Sequence, residues 1–327
     1  MYSIEELQEK VNAEILTRSG ELAAKSPSKL YAPVKYSLDM GGKRLRPVLL
    51  LLGYNLFSED IQNALPAAVA IEVFHNFTLL HDDIMDHAQV RRNKPTVHIQ
   101  FSENNAILSG DVMAFLSYQY LMECKSDKLL NVASLFTKTA VEVCEGQQLD
   151  MDFEDLLDVT AEEYLEMIQL KTAVLLACGL KAGALLANAE TAVADQLYNF
   201  ALNLGMAFQL QDDLLDTFGD QQTFGKKIGG DILANKKTFL LISALENAAG
   251  DQKENLKSWI QRKEFDEAQK IKAVTSIYNQ IQIKEKTESK IDYYFHTSAK
   301  ILQNLPIEEL KKKQLKNLSK KILNRDH

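Results

Sequence analysis

Glycine and proline are scarce, at 14 and 6 of 327 residues, and so are stretches that alternate apolar with polar side chains. A chain poor in all three excludes the turn-rich β-sandwiches and barrels. Only three cysteines occur, Cys124, Cys144 and Cys178, far apart. That excludes a disulfide framework or a zinc pattern, and the three are expected as buried core thiols in a reducing compartment. Positive charge is not in excess: Lys and Arg total 37 against 45 Asp and Glu, a net charge of −8. This argues against nucleic acid as the main partner. No run of about 18 uncharged apolar residues is seen, so no transmembrane segment is expected. The opening Met1-Tyr2-Ser3-Ile4-Glu5-Glu6 reads as an acidic amphipathic stretch rather than a signal peptide. These features point to the cytoplasm. Also missing are a Ser-His-Asp arrangement, a cysteine nucleophile motif and a nucleotide-binding glycine fingerprint.

What is present is helical periodicity. Apolar residues make up 46% and charged residues 25% of the chain, enough for a large core. The spacing predicts helices over 3–24, 28–39, about 66–87, 105–122, 128–149, 161–187, 192–217, 231–249, 251–262, 266–300 and 307–324. Gly41-Gly42 reads as a loop, Arg46-Pro47 as a helix start, and Val90 to Pro95 as a basic connection. No Ser/Gly/Pro-rich linker divides the chain. The expectation is therefore an all-α, single-domain helical bundle over 1–327, built around a central cavity.

Two stretches carry the same pattern of Leu-x-Asp-Asp-apolar-apolar-Asp. They are Leu80-His81-Asp82-Asp83-Ile84-Met85-Asp86 and Leu210-Gln211-Asp212-Asp213-Leu214-Leu215-Asp216. On a helix Asp82 and Asp86 share a face, as do Asp212 and Asp216, with Asp83 and Asp213 about 100° round. Carboxylates crowded on an apolar helix repel one another and resist ionisation unless cations join them. A lone cluster would read as an acidic surface turn, but a second copy points to a paired metal site. Magnesium suits it, since it takes one or two carboxylates and fills its shell with water and phosphate oxygens.

Cations accompany the clusters. Lys43, Arg44 and Arg46 follow Gly41-Gly42, Arg91 and Arg92 follow Asp86, and Lys226, Lys227, Lys236 and Lys237 follow the second cluster. Arginine's planar fork suits phosphate oxygens. His75 lies two helical turns before Asp82. Lys171-Thr172 sits in an apolar helix, where a lysine requires a buried partner or an anion. Two magnesium clusters without a protein nucleophile suggest a diphosphate leaving group and a carbocation.

With these motifs in place the sequence resembles the trans-isoprenyl diphosphate synthases, or polyprenyl synthetases, over most of its length. Gly41-Gly42-Lys43-Arg44-Leu45-Arg46-Pro47, the two Asp-rich motifs, Arg91-Arg92, Lys171-Thr172, Gln209, Lys226 and Lys236 are similar to the family's motifs. Asn93 stands where a glycine often follows the arginine pair, and asparagine tolerates a positive φ. The resemblance implies an all-helical homodimer that condenses isopentenyl diphosphate with an allylic diphosphate and releases diphosphate. It implies Mg²⁺, as three ions bridging the two Asp clusters and the allylic diphosphate. Asp82, Asp86 and Asp212 would hold the metal, with Asp83, Asp213 and Asp216 in the same motifs. Arg91, Lys171, Lys226 and Lys236 would face the allylic diphosphate, and Lys43, Arg46, His75 and Arg92 the isopentenyl diphosphate. Thr172 and Gln209 would face the developing cation.

Phe77, five residues before Asp82, is bulky, and Phe74 lies deeper. An aromatic floor there stops elongation early, giving geranylgeranyl diphosphate (C20) or farnesyl diphosphate (C15) as the expected product. Two alternatives are a class I terpene cyclase, which needs no second-substrate site, and a silent partner subunit, which would have lost an aspartate or a basic anchor. The motifs are complete here.

Overall fold

The computed structural model describes residues 1–156, 158–219 and 228–323. The fold is all-α, with 79% of the described residues helical. Its strands, among the described residues, are one two-residue pair. The chain divides into two compact units interleaved in sequence. The first comprises 1–139, 176–198 and 305–315, and the second 140–175, 199–304 and 316–327.

The first unit is built on α1 (Ile4–Ala23), α2 (Ser28–Asp39), α3 (Leu45–Asn55), α4 (Leu65–Met85), α5 (Val97–Gln100) and α6 (Glu103–Leu121). Ser3 starts α1 with a capping box: its hydroxyl accepts from Glu6 N–H while the Glu6 carboxylate accepts from Ser3 N–H. Leu7, Val11, Ile15 and Leu22 of α1 are buried, as are Leu49 to Leu52 of α3. In α4, 12 of 21 residues are buried, which fits a core helix better than a surface one.

The basic connection is a hairpin, β1 (Val90–Arg91) with β2 (Lys94–Pro95), paired Val90 to Pro95 and Arg91 to Lys94. Both residues of its turn are left-handed, Arg92 at φ 52 and Asn93 at φ 60. A two-residue turn needs positive φ at both positions to match the strands' twist. Asn93 accommodates this, as expected, and Arg92 is drawn into the same region.

The second unit contains most of α7 (Leu129–Asp155), α8 (Ala161–Ile168), most of α10 (Thr191–Phe218), α11 (Gly230–Ala234), α12 (Phe239–Asn247), α13 (Gly250–Gln261), α14 (Glu267–Gln280) and α15 (Ile283–Asn304). Its core gathers Tyr164, Met167, Met206, Leu210, Leu214, Leu240, Ile242, Leu256 and Tyr278. The expected helix 231–249 is two helices. Asn235, at φ 54, ends α11, and the Thr238 hydroxyl accepts from Leu241 N–H to start α12. Gln282, at φ 56, likewise divides the expected helix 266–300. The last helix, α16, runs Glu309–Leu323.

The expected helix 161–187 also holds a surprise. Between α8 and α9 (Val174–Leu186), residues Gln169–Ala173 form one π-helical turn. The whole of Ala161–Leu186 is long and apolar enough to cross a membrane by length and composition, with 72% of that window buried within the protein. The sequence reading passed over it because Lys171 and Lys181 interrupt the run. The cysteines need one correction: Cys124 and Cys178 are buried, but Cys144 is exposed. The 128–149 pattern leaves Cys144 outside the buried stripe of Phe136, Val143 and Gly146.

Candidate functional site

In the first unit the carboxylates of the Asp82 motif close α4, and the hairpin brings Arg91 to them. Arg91 Nε donates at 2.8 Å to both oxygens of Asp83, and its Nη2 lies 3.4 Å from Asp82 Oδ2. Asp83 is buried. Burial pushes its pKa up, and the Arg91 charge and hydrogen bond oppose the rise. Asp82 is half-buried and Asp86, at the helix cap, is exposed. Asp83, by contrast, is turned to the hairpin.

The cations after Gly41-Gly42 separate into different roles. Lys43 is exposed. Arg44 is buried, with Nη1 2.6 Å from Glu72 Oε1, Nε donating to Asn12 Oδ1 at 3.1 Å and Nη2 to the Leu38 carbonyl at 3.1 Å. It is a structural cation. Arg46 Nη1 lies 3.0 Å from His75 Nε2. Burial, then the charges of Arg46, Arg92, Arg91 and Arg44, hold His75 well below the usual imidazole value. A neutral ring accepts the Arg46 hydrogen bond. Arg92 Nη1 donates to the Gly41 carbonyl. Gly42 has φ 139, a backbone that favours glycine, and a Cβ there would lie 2.9 Å from Arg92 Nη2 and displace the guanidinium. Lys43, Arg46, His75, Arg91 and Arg92 thus share one unit with Asp82 and Asp86.

Phe77 lies edge-on to Phe74, ring centroids 5.4 Å apart, and to His81 at 4.9 Å. Phe74 meets Phe136 at 5.2 Å, and Phe136 meets Tyr118 at 5.1 Å. Edge-to-face rings at such spacings attract one another, so Phe77 stands on a stack of aromatics.

In the second unit the π turn presents Lys171 and Thr172. Lys171 Nζ lies 2.5 Å from Asp150 Oδ2, which supplies the partner that a lysine in an apolar helix requires. Gly146, one turn before Asp150 on α7, lies so near that a Cβ would be 2.2 Å from Lys171 N. The Thr172 hydroxyl donates to Gln209 Oε1 at 3.1 Å, and Gln209 Nε2 donates to Asp213 Oδ1 at 3.0 Å. The Tyr164 hydroxyl donates to the other oxygen, Oδ2. Burial and the nearby Asp231 charge push the Asp213 carboxyl up to about 8, against the two hydrogen bonds and Lys236. Asp213 therefore faces protein donors rather than solvent. Asp212 is half-buried. Asp216 Oδ2 accepts from Asp231 N–H at 2.9 Å at the start of α11. Lys236 is exposed just after α11, whose end is fixed by buried Lys270, donating to Asn235 Oδ1 at 2.7 Å. Lys226 and Lys227 lie outside the described residues.

Sequence reasoning passed over Glu72, Gly146, Asp150 and Tyr164. Glu72 had a signal, a lone acid between Ile71 and Val73. Gly146 had one too, an isolated glycine inside a helical pattern.

The donor set fits magnesium. The metal candidates are all carboxylates, which are hard oxygen ligands, and among the described residues no three of His, Cys, Asp and Glu converge as a closed metal site. An ion that takes one or two carboxylates and fills its shell with water and phosphate needs no closed cage.

The polyprenyl synthetase family model matches residues 27–278. The short chain isoprenyl diphosphate synthase of Methanocaldococcus jannaschii is 44% identical over 229 residues, 70% of each chain. A crystal structure of a geranylgeranyl pyrophosphate synthase superimposes with a TM-score of 0.94 at 41% identity, covering 100% of both chains. That of the geranylgeranyl pyrophosphate synthase from Corynebacterium glutamicum, complexed with isoprenyl diphosphate and magnesium, does so with a TM-score of 0.86 at 25% identity over 98% of each chain. With both Asp-rich motifs, the Arg91-Arg92 hairpin and the Lys171-Thr172 turn present, the chain belongs to the polyprenyl synthetase family and is a short-chain trans-prenyltransferase.

Proposed function

We propose that this chain condenses isopentenyl diphosphate with an allylic diphosphate in a Mg²⁺-dependent reaction and stops at C20 or C15. The observation that carries the reading is the hairpin, which returns Arg91 to the carboxylates of Asp82 and Asp83. An anion-binding arginine beside acidic residues suits a metal-bound diphosphate, in which cation and carboxylate charges are both used.

The roles are those the motifs imply, and the partners of several side chains support them. Asp82, Asp86 and Asp212 hold magnesium, as three ions. Asp83 is taken by Arg91, Asp213 by Tyr164 and Gln209, and Asp216 by the start of α11. When bound, magnesium neutralises charge on the departing diphosphate. Arg91, Lys171, Lys226 and Lys236 bind the allylic diphosphate. Lys43, Arg46, His75 and Arg92 bind isopentenyl diphosphate, with His75 neutral and orienting Arg46. Thr172 and Gln209 turn oxygen atoms to the developing cation, and the released diphosphate takes the proton.

We propose a homodimer because Leu108 and Phe115 lie a heptad apart on α6, with Met122 a further heptad on just past its end, all exposed, and Leu130 81% exposed at the start of α7. Such a stripe is an interface signature. The cytoplasm is the proposed compartment, and the single domain is a further reading that covers both units.

The test is a product assay with isopentenyl diphosphate and, separately, C5, C10 and C15 primers, with and without Mg²⁺. Products are sized by mass spectrometry. Mg²⁺-dependent elongation to C20 or C15 supports the reading, and elongation equally fast in excess chelator removes the metal assignment.

A further inference from the structure

Tyr164 has no assigned role, yet it ends a chain of hydrogen bonds that reaches Thr172. It sits on α8, 2% exposed, eight residues before Thr172, and all four members of the chain belong to the second unit. From the inside outward, the Tyr164 hydroxyl donates to Asp213 Oδ2, and Gln209 Nε2 donates to Asp213 Oδ1 at 3.0 Å. Thr172 Oγ1 donates to Gln209 Oε1 at 3.1 Å.

Direction is what matters in this chain. A side-chain amide has a donor end and an acceptor end. Both Asp213 oxygens accept, Oδ2 from the Tyr164 hydroxyl and Oδ1 from Gln209 Nε2, so Gln209 turns its carbonyl to Thr172, and Thr172 spends its only proton there. The lone pairs of Thr172 Oγ1 are then left for a positive centre. With the amide reversed, Thr172 would accept from an NH₂ group and aim its own proton outward, which repels a cation. The sense of the dipoles on Gln209 and Thr172 is thus set at Asp213, and Asp213 is held by the hydroxyl of the buried Tyr164.

We propose that Tyr164 is a positioning residue for the prenyl transfer, fixing through Asp213 and Gln209 the direction in which Thr172 presents its oxygen to the developing carbocation. The inference rests on the assignment of Thr172 and Gln209 to the cation.

The experiment is a double-mutant cycle read as steady-state kinetics on the full chain. Tyr164→Phe keeps the ring and removes the hydroxyl. It should lower kcat roughly tenfold or more, leaving KM for both diphosphates within about twofold, because no substrate-binding cation is touched. Thr172→Val should lower kcat by itself. In the Thr172→Val background, Tyr164→Phe should change kcat by less than about twofold, since the group it aims is gone. A structural role would instead multiply the two effects, and multiplied effects overturn the inference. So does an unchanged kcat in Tyr164→Phe while Thr172→Val is slow. An unchanged kcat in Thr172→Val removes the cation assignment itself, and the inference with it. If Tyr164→Phe does not fold, Tyr164→3-fluorotyrosine adds only one fluorine atom and makes the phenol a stronger hydrogen-bond donor to Asp213. A shift in kcat of twofold or more then supports the proposal, and no shift overturns it.

Discussion

A Cβ at Gly146 would lie 2.2 Å from the backbone nitrogen of Lys171. The π turn over Gln169–Ala173 therefore exists against a helix surface that only glycine supplies. Single π turns recur at functional positions because they re-aim a side chain without ending the helix. Here the turn aims Lys171 at Asp150 and Thr172 at Gln209. Gly146→Ala should push the turn away. We expect a loss of about 1–3 kcal/mol in stability from overpacking, and a fall in kcat of roughly a hundredfold from misplacement on the ångström scale. Denaturant unfolding and steady-state rates measure the two separately. A variant as fast and as stable as wild type would show that the turn does not need the glycine.

The buried pair of Arg44 and Glu72 gives a prediction about stability alone. Their side chains are 4% and 3% exposed and 2.6 Å apart. Removing one partner strands a buried charge, so Glu72→Ala should cost about 3–5 kcal/mol. The double variant Arg44→Met with Glu72→Met should recover most of that, because apolar side chains of similar volume replace the pair without leaving a charge. Chemical denaturation of the three proteins checks this. If the double variant is less stable than Glu72→Ala, the pair contributes more than it costs to desolvate.

Most helices were legible, because apolar spacing reports a helix directly and these helices bury one face each. The Asp motifs and their basic neighbours were legible for a similar reason, being continuous in sequence. What escaped were relations between side chains far apart in the chain. Asp150 with Lys171, Tyr164 with Asp213 and Glu72 with Arg44 are separated by 21, 49 and 28 residues, and no local rule pairs them. The breaks at Asn235 and Gln282 escaped because each is one residue with a positive φ inside a good helical pattern. Arg44, grouped by sequence with Lys43 and Arg46, is instead turned inward by a left-handed backbone at φ 50 onto the distant Glu72.

His75 makes stability depend on pH in a definite direction. Its folded pKa lies well below the ordinary value of 6.5, while in the unfolded chain it titrates near that value. Below about 6.5 the unfolded state gains a proton that the folded state refuses, so stability falls as pH drops. Above it the two states bind protons alike at this residue and the term is flat. Melting temperatures of wild type and His75→Gln from pH 8 to 5 isolate the effect. The wild type should lose stability more steeply below pH 6.5. Parallel curves would mean that His75 takes up its proton in the folded protein as well.

Removal of single carboxylates should separate the two kinds of aspartate. Asp82→Ala and Asp212→Ala should abolish turnover with melting temperature nearly unchanged, because neither is buried at the core. Asp83→Ala should cost stability as well as activity, since it leaves Arg91 without its two 2.8 Å contacts. Turnover assays paired with thermal unfolding decide the matter. Near-wild-type rates for Asp82→Ala or Asp212→Ala would sink the metal assignment. An Asp83→Ala protein as stable as wild type would remove the structural role given to that residue.

Product length should respond to Phe77 in a limited way. Phe77→Ala opens the space above Phe74, and the product should lengthen. Phe74 is itself buried and braced by Phe136, which is braced by Tyr118. The next aromatic therefore stops growth soon after the first is removed, and we expect a gain of about one isoprene unit, since interiors this closely packed leave no deeper channel to fall into. Phe74→Ala alone should change the product less, because Phe77 still stands before it, and should cost about 3–5 kcal/mol as a core truncation. Combining the two should lengthen the product beyond either single variant. Mass spectrometry of the products from a C15 primer gives the answer for all three, and an unchanged spectrum in Phe77→Ala removes Phe77 as the floor.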